Sequence, residues 1–185
     1  MIDRYGRFEQ RVRQQMEQRC RVSCSNCRRI CCRVHFFAET RDSAFLNRVA
    51  RRFSPRTAFD PQRGWLSPAG CTLVAGRPPV CYEFLCSDIP DAVSRDNHRR
   101  HAMLALSMLI TYVGRRAITG RHLVEATRDD DLSRIHPQRF MARMDAAEAA
   151  LAESPAILDG RPVAVGTQAL CRIVPPPPDG NIKGD

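Results

Sequence analysis

No apolar run in this chain is long enough to cross a bilayer. The longest, Ala102 to Val113, is interrupted by Ser107 and Thr111 and falls short of the roughly 20 residues a membrane helix needs. The opening stretch, MIDRYGRFEQRVRQQMEQR, carries charge throughout and has no apolar core of the kind a signal peptide requires, so a cytoplasmic location without a membrane partner is expected. There is no GxSxG and no glycine-rich phosphate loop, which excludes the nucleophile elbow and the P-loop; no residue presents itself as a catalytic base or nucleophile, and the chain is not read as an enzyme by itself. Lysine is nearly absent too, with Lys183 alone against 28 arginines. This ratio has a compositional character, because it holds along the whole chain. A composition of 43% hydrophobic and 26% charged residues nevertheless places the bulk of the 185 residues among ordinary globular chains.

What is abundant is cysteine, and its placement is uneven. Eight of the nine cysteines fall in two blocks: Cys20, Cys24, Cys27, Cys31 and Cys32 first, then Cys71, Cys81 and Cys86. In a reducing compartment an odd-numbered set of this size argues against a disulfide framework and in favour of metal ligation. Two thiol clusters far apart in sequence can close a tetrahedral site with Zn–S distances of about 2.3 Å. Cys31 and Cys32 are adjacent, so their side chains diverge in most backbone conformations, which favours a polynuclear centre or two separate ones. Thiolate softness suits zinc and iron-sulfur centres alike. The isolated Cys171 reads as a small core residue.

The order CxxC, CC, GC and RPxxCxxFxC over residues 20 to 86 resembles the YkgJ-type cysteine-cluster family, described as zinc- or iron-chelating. By that resemblance Cys24 and Cys27 match the opening pair, Cys31 and Cys32 the vicinal pair, Cys71, Cys81 and Cys86 the later ligands, and Arg77 and Pro78 the RP. The family pattern is CxxCGxCC, whereas Arg28 stands here in the glycine position and three residues separate Cys27 from Cys31. Cys20 is therefore added as a further or replacement ligand, and His35 as an auxiliary candidate.

Charge follows the thiols. Residues 1–86 hold 16 arginines and seven acids, while residues 87–185 are balanced, so the whole net charge of +9 lies in the cysteine-bearing half. Arg21, Arg28, Arg29, Arg33 and Arg77 are placed to offset the negative charge of a metal held by four thiolates and to favour the thiolate form before the metal arrives. The remaining excess suits an acidic protein or redox partner.

The expected architecture is mainly α, a small α domain with irregular cysteine-rich metal-binding loops. Three regions are expected: 1–90 with a basic N-terminal helix and the cysteine cluster, 91–158 helical, and 159–185 a C-terminal extension whose proline-rich end is disordered. Tyr5, Phe8, Val12 and Met16 at helical spacing predict a helix over 3–19 leading into a cysteine loop, and Phe45, Leu46 and Val49 predict one over 42–53. Proline and glycine predict irregular backbone over 55–79. A helix capped by Asp91 is expected to run to Val113 and stop at Gly114. Another, over 137–153, is expected to turn Phe140, Met141, Met144, Ala147 and Leu151 inward. GRHLVEA is a short helix at best, and residues 160–174 suggest a small strand. His98 and His101 read as solvated at a helix start, His122 and His136 fit no pattern, and Asp129 to Asp131 read as a solvated loop.

Two rivals follow from the same residues. Cys20, Cys24 and Cys27 spell the CxxxCxxC of radical S-adenosylmethionine enzymes, but a helix precedes the motif and no βα repeats follow. An arginine-rich zinc module binding nucleic acid fits the charge, yet no CxxC leads into a recognition helix with paired histidines, so nucleic acid is the less favoured partner. The leading expectation is a protein that binds zinc or iron, the latter including an iron-sulfur cluster, in a structural, metal-handling or electron-transfer role. Service as an accessory part of a metal-dependent modifying enzyme is the remaining alternative.

Overall fold

The computed structural model describes residues 1–26, 34–68, 70–83, 97–161 and 169–175. The first element, α1 (Ile2–Asn26), runs past the expected end at residue 19. The reason is local: CRVSCSN contains neither glycine nor proline, so nothing stops the helix where the first cysteine falls. Tyr5, Phe8, Val12 and Met16 are all buried along one stripe, as their spacing predicts. Gly6 lies against the Phe53 ring; a Cβ there would sit 2.1 Å from Phe53 Cε2.

A 3₁₀ turn (Val34–Phe37) leads into α2 (Ala38–Asp42) and α3 (Ala44–Phe53). Asp42 ends α2 rather than opening α3, because Ser43 takes the capping position and accepts the Leu46 N–H at 3.3 Å. Phe45 links three helices, packing edge-on to Tyr5 at 5.1 Å and to Phe140 at 6.1 Å between ring centroids. The proline- and glycine-rich stretch is irregular apart from a short antiparallel pair, β1 (Leu66–Ser67) and β2 (Gly70–Cys71). Beneath it Phe37, Ala50, Trp65 and Leu73 form a small core of their own. Pro78 and Pro79 then open α4 (Val80–Glu83), their carbonyls accepting the Cys81 and Tyr82 amides at 3.0 and 2.9 Å.

The expected helix to Val113 is divided into α5 (Asn97–Ser107) and α6 (Leu109–Gly114). At the junction the Met108 N–H is shared between the Leu104 and Ala105 carbonyls, both at 3.2 Å, and Gly114 closes α6 as expected. The proposed cap Asp91 lies outside the described residues. A 3₁₀ turn (Leu123–Glu125), α7 (Asp129–Leu132), α8 (Pro137–Leu158) and α9 (Ala169–Ile173) complete the order. Two expectations are corrected here. The strand suggested within 160–174 is replaced, in its described part, by α9, and the aspartate run forms the first turn of α7. Asp131 is buried there, because its carboxylate caps the Arg128 N–H and bonds the Arg121 guanidinium at 3.1 Å. The proline-rich end, 176–185, lies outside the described residues.

The mainly α expectation holds. One apolar cluster runs from Tyr5 to Leu170, with Phe140, Met144, Ala147 and Leu151 of α8 fully buried. Met141 is a correction, 37% exposed, because it falls on the flank of α8 where Arg4 reaches across to Asp145 and Glu148. Pro155 lies inside α8 and has no N–H for the Leu151 carbonyl four residues earlier. That carbonyl is satisfied instead by the Gln15 side-chain amide from α1 at 3.2 Å and by the Ser154 hydroxyl at 2.9 Å.

The histidines also differ from expectation. His101 is buried, 2.8 Å from the Val174 carbonyl, rather than solvated, whereas His98 is exposed. His122 and His136 are both helix caps. His122 Nδ1 accepts the Val124 N–H and Nε2 faces the Thr111 carbonyl, each at 3.2 Å, a pair of contacts that fits the neutral ring. Burial lowers its pKa from the ordinary histidine value.

Candidate metal centre

Three of the eight assigned thiols have described side chains. Cys20 lies within α1, half-buried against the main core, and not in a loop as expected; Cys24 follows one turn later on the same helix, its side chain outside the described residues. Cys71 ends β2 and Cys81 lies in α4, both half-buried. Cys27, Cys31, Cys32 and Cys86 lie outside the described residues, as do Arg28, Arg29, Arg33 and Phe84; Arg21 is exposed. The side chain of Cys171, within α9, is likewise outside them. His35 is exposed and packs edge-on to Phe36. Among the described residues no three His, Cys, Asp or Glu side chains converge into a metal site.

What the fold does bring together is the second cysteine block around Arg77. The half-buried Arg77 guanidinium donates to the Leu73 carbonyl from Nε at 3.1 Å and from Nη2 at 2.9 Å, with the Cys71 carbonyl 3.5 Å from Nη2. Arg13 of α1 donates to the same Leu73 carbonyl at 3.1 Å. Burial works against the Arg77 charge, but Tyr82, Cys71, Glu9 and Cys81 outweigh it and hold its pKa above the ordinary arginine value. Cys71 and Cys81, ten positions apart in sequence, are thus both within the field of one cation. Both also pack against the small Phe37–Trp65 core.

The anchor beneath this arrangement is Glu9, a carboxylate buried on α1. Its Oε2 accepts the Gly76 N–H at 2.7 Å, and its Oε1 accepts the Arg77 N–H and the Tyr82 hydroxyl, each at 2.8 Å. Burial raises the Glu9 pKa, and these three donors together with the Arg77 charge oppose the rise. Gly76 is held from its other side by Thr40, whose hydroxyl donates to the Gly76 carbonyl at 2.8 Å. Its φ is +87°, and a Cβ would lie 2.6 Å from the Ala50 nitrogen and 2.7 Å from the Leu46 carbonyl oxygen, so only glycine fits. Pro78 and Pro79 fix the next two backbone angles. The segment Gly76–Pro79 is therefore clamped between α1 and α3, and Cys81 follows it on the single turn of α4. Tyr82 is buried beside it.

Glu9, Arg13 and Gly76 are absent from the motif-based reading. A signal for the first was available: positions 5, 9, 12 and 16 follow the four-three-four spacing of a core stripe, and Glu9 is the one charged residue on it. The fold and site define a small, mainly helical protein in which a thiol pair flanks a clamped arginine. No protein family, curated protein or solved structure matches the chain.

Proposed function

We propose that this chain binds zinc or iron, the latter including an iron-sulfur cluster, through Cys20, Cys24, Cys27, Cys31, Cys32, Cys71, Cys81 and Cys86. The observation that carries the reading is the placement of Cys71 and Cys81 beside one guanidinium whose backbone is pinned by Glu9. The donor set fits the group: thiolates suit zinc and iron-sulfur centres, and the adjacent Arg77 offsets part of the negative charge of a thiolate-bound metal. A bound cluster would supply one-electron chemistry, and a bound zinc ion a structural tie between the two cysteine blocks. The residues of this chain would hold the second-block thiols in register, keep Tyr82 packed beside them and balance charge.

The test is elemental analysis of protein purified without oxygen, with Cys27→Ala and Cys71→Ala as variants. Stoichiometric zinc in a colourless protein, or iron with broad visible absorbance that dithionite bleaches, is the expected result, and both variants lose metal. Wild-type protein that is metal-free under anaerobic purification and does not take up zinc or iron on reconstitution overturns the proposal.

A further inference from the structure

Near the start of α8 four arginines gather without a carboxylate partner among the described residues. Arg115 and Arg116 follow α6, and Arg139 and Arg143 lie on the first two turns of α8. The Arg139 guanidinium is 3.4 Å from the Arg116 carbonyl, while Arg143 donates to the Tyr112 carbonyl at 3.1 Å and lies over the Tyr112 ring, 5.5 Å from its centroid. Burial, and then the charges of Arg139, Arg115 and Arg116, pull Arg143 below the ordinary arginine pKa, so the cluster repels itself.

The described acids nearest in sequence to these arginines are committed elsewhere. Asp129 pairs with Arg48, Asp130 with Arg128, Asp145 and Glu148 with Arg4, and Glu153 caps the Ala169 N–H. Asp131 is held by Arg121, with Arg134 at 3.6 Å. Among the described residues, the balanced composition of this half thus includes a concentrated positive patch.

Two further features converge on it. A depression of about 570 Å³ opens beside the patch, lined by Thr119, Gly120, Arg134, His136, Pro137 and Arg139. It lies at the N-terminus of α8, a 22-residue helix whose dipole adds positive potential there. Arg116 is the one non-glycine residue with positive φ, 53°, among the described residues. Glycine would take that conformation without strain, so an arginine there spends stability to present a guanidinium.

We propose that Arg115, Arg116, Arg139 and Arg143, with the adjoining depression, form a binding site for a phosphate-bearing anion. Guanidinium forks match phosphate oxygens two at a time, and several mutually repelling cations call for a ligand carrying more than one negative charge. None of these residues is a cysteine, and the proposal does not rest on metal binding. The phosphate can belong to a nucleic-acid backbone or to a small polyphosphate.

The experiment uses the full chain in two arms at 50 mM salt: a fluorescein-labelled 20-nucleotide DNA, single-stranded and duplex, followed by anisotropy, and inorganic pyrophosphate followed by calorimetry. The site is supported if either ligand binds and Arg115→Glu/Arg139→Glu weakens binding at least tenfold. Arg51→Glu/Arg56→Glu, which changes charge equally on α3 and the loop after it, should leave binding within about twofold. Which arm responds assigns the source. For duplex DNA, four phosphate contacts predict an affinity loss of about a hundredfold between 50 and 200 mM salt, with the log–log slope reduced by about two in the double variant. Arg116→Gly supplies a readout that a structural role would not move as predicted: weaker binding with an unchanged or raised Tm. The site is refuted by no binding in both arms, by equal loss in the control variant, or by polyglutamate of matched charge competing as well as the phosphate ligand.

Discussion

Replacing Glu9 by alanine tests the clamp beneath the candidate centre. The carboxylate is fully buried and receives three donors, the Gly76 and Arg77 amides and the Tyr82 hydroxyl, at 2.7 to 2.8 Å. Removing it strands all three in the interior, and each buried unsatisfied donor costs about 1–3 kcal/mol. The expected loss for Glu9→Ala is about 3–5 kcal/mol, a large part of the roughly 5–15 kcal/mol that holds an ordinary domain together. Glu9→Gln keeps one oxygen but sets an NH₂ group against an N–H, and should lose about 1–3 kcal/mol. Tyr82→Phe should lose about 1–2 kcal/mol, and its effect should shrink by about 1 kcal/mol or more in the Glu9→Ala background, because the two residues share one bond. Urea unfolding followed by circular dichroism measures the four variants against the wild type.

The pH dependence carries its own sign. Folding raises the Glu9 pKa, so this group favours the fold below its unfolded pKa and loses that contribution as pH rises through the folded value; Glu9→Gln abolishes this component. A loss below about 1 kcal/mol for Glu9→Ala, or strict additivity with Tyr82→Phe, would refute the reasoning that Glu9 is the anchor.

Gly76→Ala should destabilise by about 2 kcal/mol or more, since it combines positive φ with backbone contact on α3, and thermal unfolding checks it. The half-buried, neutral His122 has a depressed pKa, so its contribution is complete above the unfolded value of about 6.5 and is lost as pH falls below it; His122→Gln should flatten the stability profile between about pH 5 and 7. Phe140→Ala, at the meeting point of α8 with Phe45, should cost about 3–5 kcal/mol by urea titration. Chelation of the anaerobic protein should lower its Tm if metal ties the two cysteine blocks together, and renewed metal should restore it.

Much of the helical framework was legible because apolar residues repeat at helical spacing. Tyr5, Phe8, Val12 and Met16, and later Phe140, Met144, Ala147 and Leu151, are buried as their periodicity predicts. Where two rules competed, the weaker signal in the letters prevailed in the fold. Closely spaced cysteines suggested a loop, but a segment without proline or glycine continued α1 through Cys20 and Cys24. Of the candidate site, Cys71, Cys81 and Arg77 were legible as a motif, whereas the contact that positions them was not. Glu9 lies 67 residues from Gly76, and only tertiary packing reveals that a charge on an apolar stripe has donors waiting for it. The arginine cluster was hidden for another reason, since summing charge over a half-chain cancels groups that are separated in space.

The proline gap in α8 has a consequence for any attempt to isolate the thiol-bearing segment. A rung missing near the end of α8 is supplied by a glutamine 136 positions earlier, so α1 completes α8. An excised peptide carrying the cysteines would lose the surface that covers Phe8, Val12 and Met16, and α8 without that peptide would leave the Leu151 carbonyl to the Ser154 hydroxyl alone. Work on the thiols is therefore best done on the intact chain.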